Sequence, residues 1–306
     1  MKKTVSVFLV FAIIISCSVW AFAANLTPSV YSSNIIPSGT MRMIAHRGYS
    51  AVAPANTLPA YVAAGKSDFW GAECDIQRTK DGVWILMHDE TVDATTNGTG
   101  KISEMTYAEI KELNIDAGSN LETYPDEKVP TLTEYLDVCK EYKLHPVIEI
   151  KANADPAVMN EVAEILSARE EKDMFVVISF GREICVRMKE LMPKLPVYYL
   201  IGFEGVSQED IDFAVQNHLD GMDIHVFLPD DYVKAVKKSG LDIFVWTIDD
   251  IGNAERFYKL GINAITTNSL TQEKPDGNVF QQIWWALRDF IYNVKVFFVN
   301  LFDKTA

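Results

Sequence analysis

Short apolar, β-branched runs alternate with helix-patterned stretches from Met41 to Asn268, and nothing else in the chain limits its fold as strongly. The runs are Met41–His46, Ala72–Ile76, Pro146–Ile150, Phe175–Phe180, Pro196–Ile201, Gly221–Val226, Ile243–Ile248 and Ala264–Thr267. Helical patterns lie at Thr57–Ala64, Leu132–Tyr142, Ala157–Ala168, Glu183–Met192, Gln208–Asn217, Asp231–Ser239 and Ala254–Leu260. Eight strands alternating with helices over about 230 residues predict an α/β protein, a (β/α)8 barrel rather than an open sheet. A ninth apolar run, Val83–Met87, follows Asp81-Gly82, a strong hairpin turn signal. A strand that returns antiparallel to Ala72–Ile76 has no place in a parallel barrel. Gln77–His88 is therefore expected to form a hairpin above the barrel mouth, with His88 returning near the level of Asp75. Residues 89–130 form a long polar excursion with one helical piece, Tyr107–Leu113. An insertion of that length, about 77–130 in all, builds a lid or pocket wall.

The barrel places chemistry at the C-terminal ends of its strands. His46-Arg47-Gly48 ends the first run. Glu73 and Asp75 are two apart on the second and share a face, as do Glu149 and Lys151 on the third. His88-Asp89 arrives from the hairpin. Three carboxylates, two imidazoles and two cations on one rim need a metal and a polar ligand to be buried together. Carboxylates suit a hard divalent cation, Ca2+ or Mg2+, and the chain lacks the Cys/His spacing of structural zinc. Arg47 and Lys151 suit a phosphate. Two histidines suit a general base and a general acid. The formal charge of −14, from 28 basic and 42 acidic residues, argues against nucleic acid as partner. An acidic protein still handles phosphate esters where a metal supplies positive charge.

These pieces resemble the glycerophosphodiester phosphodiesterases. The matching segments are Ile44-Ala45-His46-Arg47-Gly48, Pro54-Ala55-Asn56-Thr57, Gly71-Ala72-Glu73-Cys74-Asp75, Thr79-Lys80-Asp81-Gly82 and His88-Asp89-Glu90-Thr91. They continue through Val129-Pro130-Thr131-Leu132, Glu149-Ile150-Lys151, Val245-Trp246-Thr247 and Gly261 to Thr267. The resemblance implies a barrel with the hairpin-bearing insertion. It also implies His46 and His88 as acid/base pair and Glu73, Asp75 and Glu149 as metal ligands. Arg47 and Lys151 would hold the phosphate, and Trp246 would line the pocket. The expected reaction is metal-dependent cleavage of a small-molecule glycerophosphodiester to glycerol 3-phosphate and an alcohol. Two positions depart from the family pattern. Ala55 stands where the family has Glu, and Asn268 stands where it often has Asp, a position expected to have no place in the chemistry.

Competing readings stay open at this level. Glu149 and Lys151 are also spaced to pair with each other, Trp246 suits a core as well as a pocket, and His225 ends a strand that looks toward the mouth. The same chemistry serves a lysophospholipid or a teichoic-acid-like polymer. A non-catalytic phosphodiester-binding module and a glycoside hydrolase are the readings from other classes.

The two ends of the chain carry separate signals. Lys2 and Lys3, an apolar run to Ala24 and small residues at Ala21-Phe22-Ala23 read as a signal peptide over residues 1–23. Ile14-Ile15-Ser16-Cys17 reads alternatively as a lipobox, and the run is long enough for an uncleaved anchor. All three predict a secreted or cell-envelope-associated enzyme. Residues 24–40 are expected to be a linker and residues 41–275 the barrel. Cys74, Cys139 and Cys185 are expected to be buried free thiols. Within 276–306, Phe280, Trp284, Leu287, Ile291, Val294, Phe298 and Leu301 keep a three-four spacing. That predicts an amphipathic helix, either packed on the barrel or making membrane-surface contact or self-association through 280–301.

Overall fold

The structure is a computed structural model that describes residues 35–36, 41–204 and 206–272. Its strands, in chain order, are β1 (Ile35–Ile36), β2 (Arg42–Ala45), β3 (Gly71–Arg78), β4 (Trp84–Leu86), β5 (His145–Ile150) and β6 (Val176–Ser179). They continue as β7 (Val197–Ile201), β8 (Gly221–His225), β9 (Asp242–Trp246), β10 (Ala264–Thr267) and β11 (Thr271–Gln272). All eight predicted barrel strands form. β2, β3 and β5 to β10 pair in parallel around a sheet that the β2–β3 pairing closes on itself. Strands covered on both faces need apolar residues at nearly every position, which is why the runs alternate so little.

The helices are α1 (Leu58–Lys66), α2 (Tyr107–Glu112), α3 (Leu132–Tyr142), α4 (Met159–Ser167), α5 (Arg182–Leu191), α6 (Gln208–Gln216), α7 (Asp230–Lys238) and α8 (Ile251–Lys259). All but α2, which belongs to the insertion, follow barrel strands. In α4 the buried residues Met159, Val162, Ala163 and Leu166 keep the three-four spacing of a single apolar stripe. Thr131 and Glu134 form a reciprocal capping box at the start of α3, so the Val129-Pro130-Thr131-Leu132 segment is a helix start rather than part of the chemistry.

Two apolar layers result. An outer one joins strands to helices and includes Met222 and Ile224 of β8. An inner one fills the barrel with Ile44, Val147, Ile178, Tyr198, Leu200 and Phe244. At the N-terminal end of the barrel Trp70 stacks on His145 with ring centroids 4.0 Å apart, and Arg42 lies over Trp70 and Phe244. His145 is thus a structural residue. Cys74, Cys139 and Cys185 are free and buried.

β4 pairs antiparallel with β3, as the Asp81-Gly82 turn predicts. The insertion then builds a small core of its own from Ile85, Met87, Val92, Ile102, Ile110, Ile115 and Val129. Within the stretch read as a linker, Ile35–Ile36 pairs in parallel with Thr271–Gln272, a contact between chain ends that no local pattern announces. The signal peptide, Cys17 and the helix expected over 276–306 lie outside the described residues.

Candidate active site

Each acidic side chain is placed by strand parity. Met222 and Ile224 face the helices, so alternate positions on β8 face the barrel interior; Glu73 and Asp75 on β3 and Glu149 on β5 do likewise. Asp75 and Glu149 are direct cross-strand partners. One ligand atom from each of Glu73, Asp75 and Glu149 lies within 4.8 Å of the other two, and all three residues are buried.

The turn after β2 aims the next groups at this triad. Arg47 and Gly48 both adopt positive φ, at 57° and 76°. A Cβ on Gly48 would lie 2.6 Å from the Ala60 Cβ of α1, so only glycine fits against that helix. The Arg47 backbone N–H donates to Glu73 Oε2 at 2.8 Å, and its guanidinium Nε stands 3.2 Å from Asp75 Oδ2. Asn56 braces Asp75 twice: Nδ2 donates to Asp75 Oδ2 at 2.7 Å, and Oδ1 accepts from the Asp75 backbone N–H at 3.2 Å. Tyr61 Oη in turn donates to Asn56 Oδ1. Asn56 is thus a positioning residue in a segment that the sequence marks only as a motif. Lys151 Nζ donates to Asp75 Oδ1 at 2.5 Å and to Glu149 Oε1 at 2.8 Å.

The charge balance is strained. Burial pushes the Asp75 carboxyl up, but Lys151, Arg47 and His88 outweigh it and hold the group well below the usual carboxylate range. Burial and then repulsion from Asp75 push Glu149 up to about 7. Burial, then Asp75 and Glu149, push Glu73 well above the usual carboxylate range, and Glu73 Oε1 is buried with no hydrogen-bond partner. An orphaned buried oxygen beside two more carboxylates is the donor set that a hard divalent cation fits.

His46 closes the site from β2. Its Nε2 stands 4.0 Å from Glu73 Oε2, and burial followed by the Arg47 charge lowers its pKa to about 4. Its Nδ1 lies 2.8 Å from Asn268 Oδ1. Asn268 Nδ2 donates to Asp249 Oδ2 at 2.6 Å, and a carboxylate there can only accept. The amide nitrogen therefore faces Asp249, the amide oxygen faces His46, and Nδ1 carries the ring proton. That leaves Nε2 as the free lone pair directed at the triad. Asn268, a position expected to have no place in the chemistry, is thus the side-chain partner of His46 Nδ1. The two residues are 222 apart in sequence and meet only because β10 pairs with β2.

His88 returns to the mouth beside β3, since the Met87 backbone N–H donates to the Asp75 carbonyl. Its side chain is 42% exposed and its Nδ1 lies 2.7 Å from Asp89 Oδ1. Trp246, at the end of β9, is half-buried; its indole N–H donates to the Asp223 carbonyl at 3.3 Å and its ring meets His225 edge-on at 4.7 Å. The structure thus gathers His46, Arg47, Glu73, Asp75, Glu149 and Lys151 tightly, with His88 arriving from the hairpin and Trp246 on another strand of the same mouth. Lys151 and Glu149 do pair, but within the acidic cluster rather than apart from it.

Comparisons with known proteins agree with this geometry. The Glycerophosphoryl diester phosphodiesterase family profile matches residues 46–272. A glycerophosphodiester phosphodiesterase of Caldanaerobacter subterraneus subsp. tengcongensis is 32% identical over 232 residues, covering 74% of this chain and 93% of that protein. Glycerophosphodiester phosphodiesterase 1 of Mus musculus is 29% identical over 289 residues, covering 83% and 86%. Among solved structures, an Oleispira antarctica phosphodiesterase in complex with the product sn-glycerol-3-phosphate superposes with a TM-score of 0.67 at 29% identity, covering 74% of this chain and 92% of that one. With the motifs, the closed barrel and these relatives in agreement, the chain belongs to the glycerophosphoryl diester phosphodiesterase family and is a phosphoric diester hydrolase.

Proposed function

We propose that this enzyme hydrolyses a glycerophosphodiester to glycerol 3-phosphate and an alcohol, with a divalent cation, Ca2+ or Mg2+, held by Glu73, Asp75 and Glu149. The observation that carries the proposal is the buried acidic triad with its orphaned Glu73 oxygen, set directly beside His46. When bound, the cation supplies Lewis-acid neutralisation of charge on the phosphoryl oxygens. Arg47 and Lys151 orient the phosphodiester. His46 Nε2 accepts the proton of the attacking oxygen; its low pKa leaves it unprotonated at neutral pH, and Asn268 keeps the lone pair on that nitrogen. His88 donates a proton to the departing alkoxide and, being exposed, recovers it from solvent.

The test is release of glycerol 3-phosphate from glycerophosphocholine with Ca2+, with Mg2+ and with chelator. His46→Ala and His88→Ala should each lower kcat by about 100- to 10,000-fold while retaining glycerol 3-phosphate binding. Undiminished turnover in His46→Ala would overturn the mechanism.

The enzyme acts outside the cytoplasm in this reading, since residues 1–23 carry the pattern of an export signal. The apolar stripe of 280–301 would supply contact with a membrane surface or a second copy. Deleting 276–306 should leave turnover intact and abolish liposome binding or dimer formation; loss of folding would place that segment in the core instead.

A further inference from the structure

One arm of the insertion, residues 116–127, packs on the loop that follows β2. Its ends are drawn together where the Ile115 backbone N–H donates to the Glu127 carbonyl at 2.8 Å, the closure of a compact Ω-loop. Leu121 roots the arm in the insertion's own apolar core. From that base it reaches residues 52–58 at three points. Asn120, in the left-handed region at φ 52°, donates from Nδ2 to the Val52 carbonyl at 3.0 Å. Gly118, at φ 122°, lies against Pro54: a Cβ there would come within 2.9 Å of Pro54 Cα and 3.7 Å of the Ala55 backbone nitrogen. Burial raises the Glu127 pKa, and a hydrogen bond from the Leu58 backbone N–H, at the start of α1, lowers it. Thr57, the N-cap of α1, directs its hydroxyl to the Pro54 carbonyl at 2.6 Å and not to the helix. The insertion therefore supplies an acceptor that the cap does not.

The loop held in this way touches both halves of the site. Asn56 braces Asp75 while standing at φ 58°, and its backbone N–H donates to the Arg47 carbonyl at 2.9 Å. A residue other than glycine in the left-handed region is costly and persists where its surroundings over-determine it. From within the barrel, Asp75, Tyr61 and the Arg47 carbonyl hold Asn56. From the insertion, Gly118 packs on Pro54, two residues before it. At the other end of the loop, Ser50 Oγ donates to Asn268 Oδ1 at 3.1 Å and the Ala51 backbone N–H donates to the Asn268 carbonyl at 3.2 Å. The same loop thus meets the side-chain partner of His46.

We infer that Gly118, Asn120 and Glu127 are positioning residues: the 116–127 arm clamps the loop after β2 and so holds Asn56 against Asp75. This rests on the proposed cation at Glu73, Asp75 and Glu149. A carboxylate fixed by its hydrogen-bond partners binds a metal about 10- to 100-fold more tightly than one left free to turn, and the clamp secures part of that gain at a distance. A wall that met only substrate would alter KM and leave cation affinity untouched. A clamp alters cation affinity before any substrate is present.

Two measurements on the full chain, without substrate, test it. The first is calorimetric affinity for Ca2+ and Mg2+. The second is hydrogen exchange of the Asp75 backbone amide in cation-free protein, because that amide donates to Asn56 Oδ1. Asn120→Gly keeps the left-handed backbone accessible and removes only the amide, so it should weaken the cation about 2- to 10-fold. Gly118→Val drives a side chain into Pro54 and should weaken it at least about tenfold. In both, exchange at Asp75 should accelerate by a similar factor. Thr106→Ala removes the capping box of α2, elsewhere in the same insertion, and should change neither reading. Unaltered affinity and exchange in Asn120→Gly and Gly118→Val would overturn the clamp, and so would an equal loss in Thr106→Ala, which would mark general loosening of the insertion. If Gly118→Val does not fold, Asn120→Gly decides. If the parent protein binds neither cation, the cation reading fails, and exchange at Asp75 still decides the clamp.

Discussion

Asn268→Ala is the sharpest perturbation of the proposed machinery, because it acts on His46 without touching substrate. The change removes the acceptor 2.8 Å from His46 Nδ1 and the donor 2.6 Å from Asp249 Oδ2, and Ser50 Oγ, 3.1 Å from Asn268 Oδ1, loses its acceptor too. The side chain of His46 is only 18% exposed, so water replaces the lost acceptor poorly. An unsatisfied donor of this kind costs about 1–3 kcal/mol. The proton can then move to Nε2, the nitrogen that must be free to act as base. If the cost falls on the transition state, kcat should drop by about 5- to 150-fold with KM little changed. Steady-state kinetics on glycerophosphocholine at saturating cation, paired with 15N NMR of the imidazole, separates loss of tautomer from loss of fold. Asn268→Asp makes a second point. A carboxylate still accepts from Nδ1 and stabilises the charged ring, so the acid limb of the pH–rate profile should move upward from about 4. It also faces Asp249 without the amide donor, so rescue should be partial. An unchanged kcat and an unchanged Nδ1–H signal in Asn268→Ala would refute the positioning role.

Three further outcomes concern the ionisable groups of the site. Cation binding needs ionised carboxylates, and Glu149 is pushed up to about 7 in the free protein. Affinity should therefore fall as pH drops from 7 toward 5, by up to about tenfold per unit for each proton expelled, measured by calorimetry in buffers of different ionisation enthalpy. A flat profile would contradict the charge repulsion in the triad. Glu73→Gln should weaken the cation on the order of 100-fold without lowering the stability of the cation-free protein, since it removes a buried acid that already resists ionisation. His46 has a folded pKa of about 4 against 6.5 unfolded, so the unfolded chain binds more protons between those values. Its contribution to stability is complete above 6.5 and is lost as pH falls, about 3 kcal/mol by pH 4. Urea unfolding of cation-free protein against His46→Gln should show that difference, and parallel profiles would exclude it.

Most of the barrel and the acidic half of the site are legible locally. The eight strand runs announce themselves by length and composition, and Glu73, Asp75 and Glu149 fall on inward positions by parity of two. Asp81-Gly82 fixes the hairpin, with Gly82 at φ 87°, and thereby returns His88 to the mouth. Asp223 carries a readable signal as well, a lone acid on the alternate face of Gly221-Met222-Asp223-Ile224-His225, although parity cannot say that it lacks a partner.

What the chain alone determined is therefore the class of fold, the strands that carry the chemistry and the residue types that meet at the mouth, because periodicity and turn chemistry are local properties. What tertiary structure decided is partnership. Asn268 reaches His46, and Asn56 reaches Asp75, only when the barrel closes and the loop after β2 folds across it. Lys151 divides itself between Asp75 and Glu149 because β3 and β5 stand in register. Phe203 and Phe227 join Trp246 only through His225. A hydrogen bond is set by distances of about 3 Å between groups as far apart in sequence as His46 and Asn268, and no repeat of two or 3.6 residues encodes that distance.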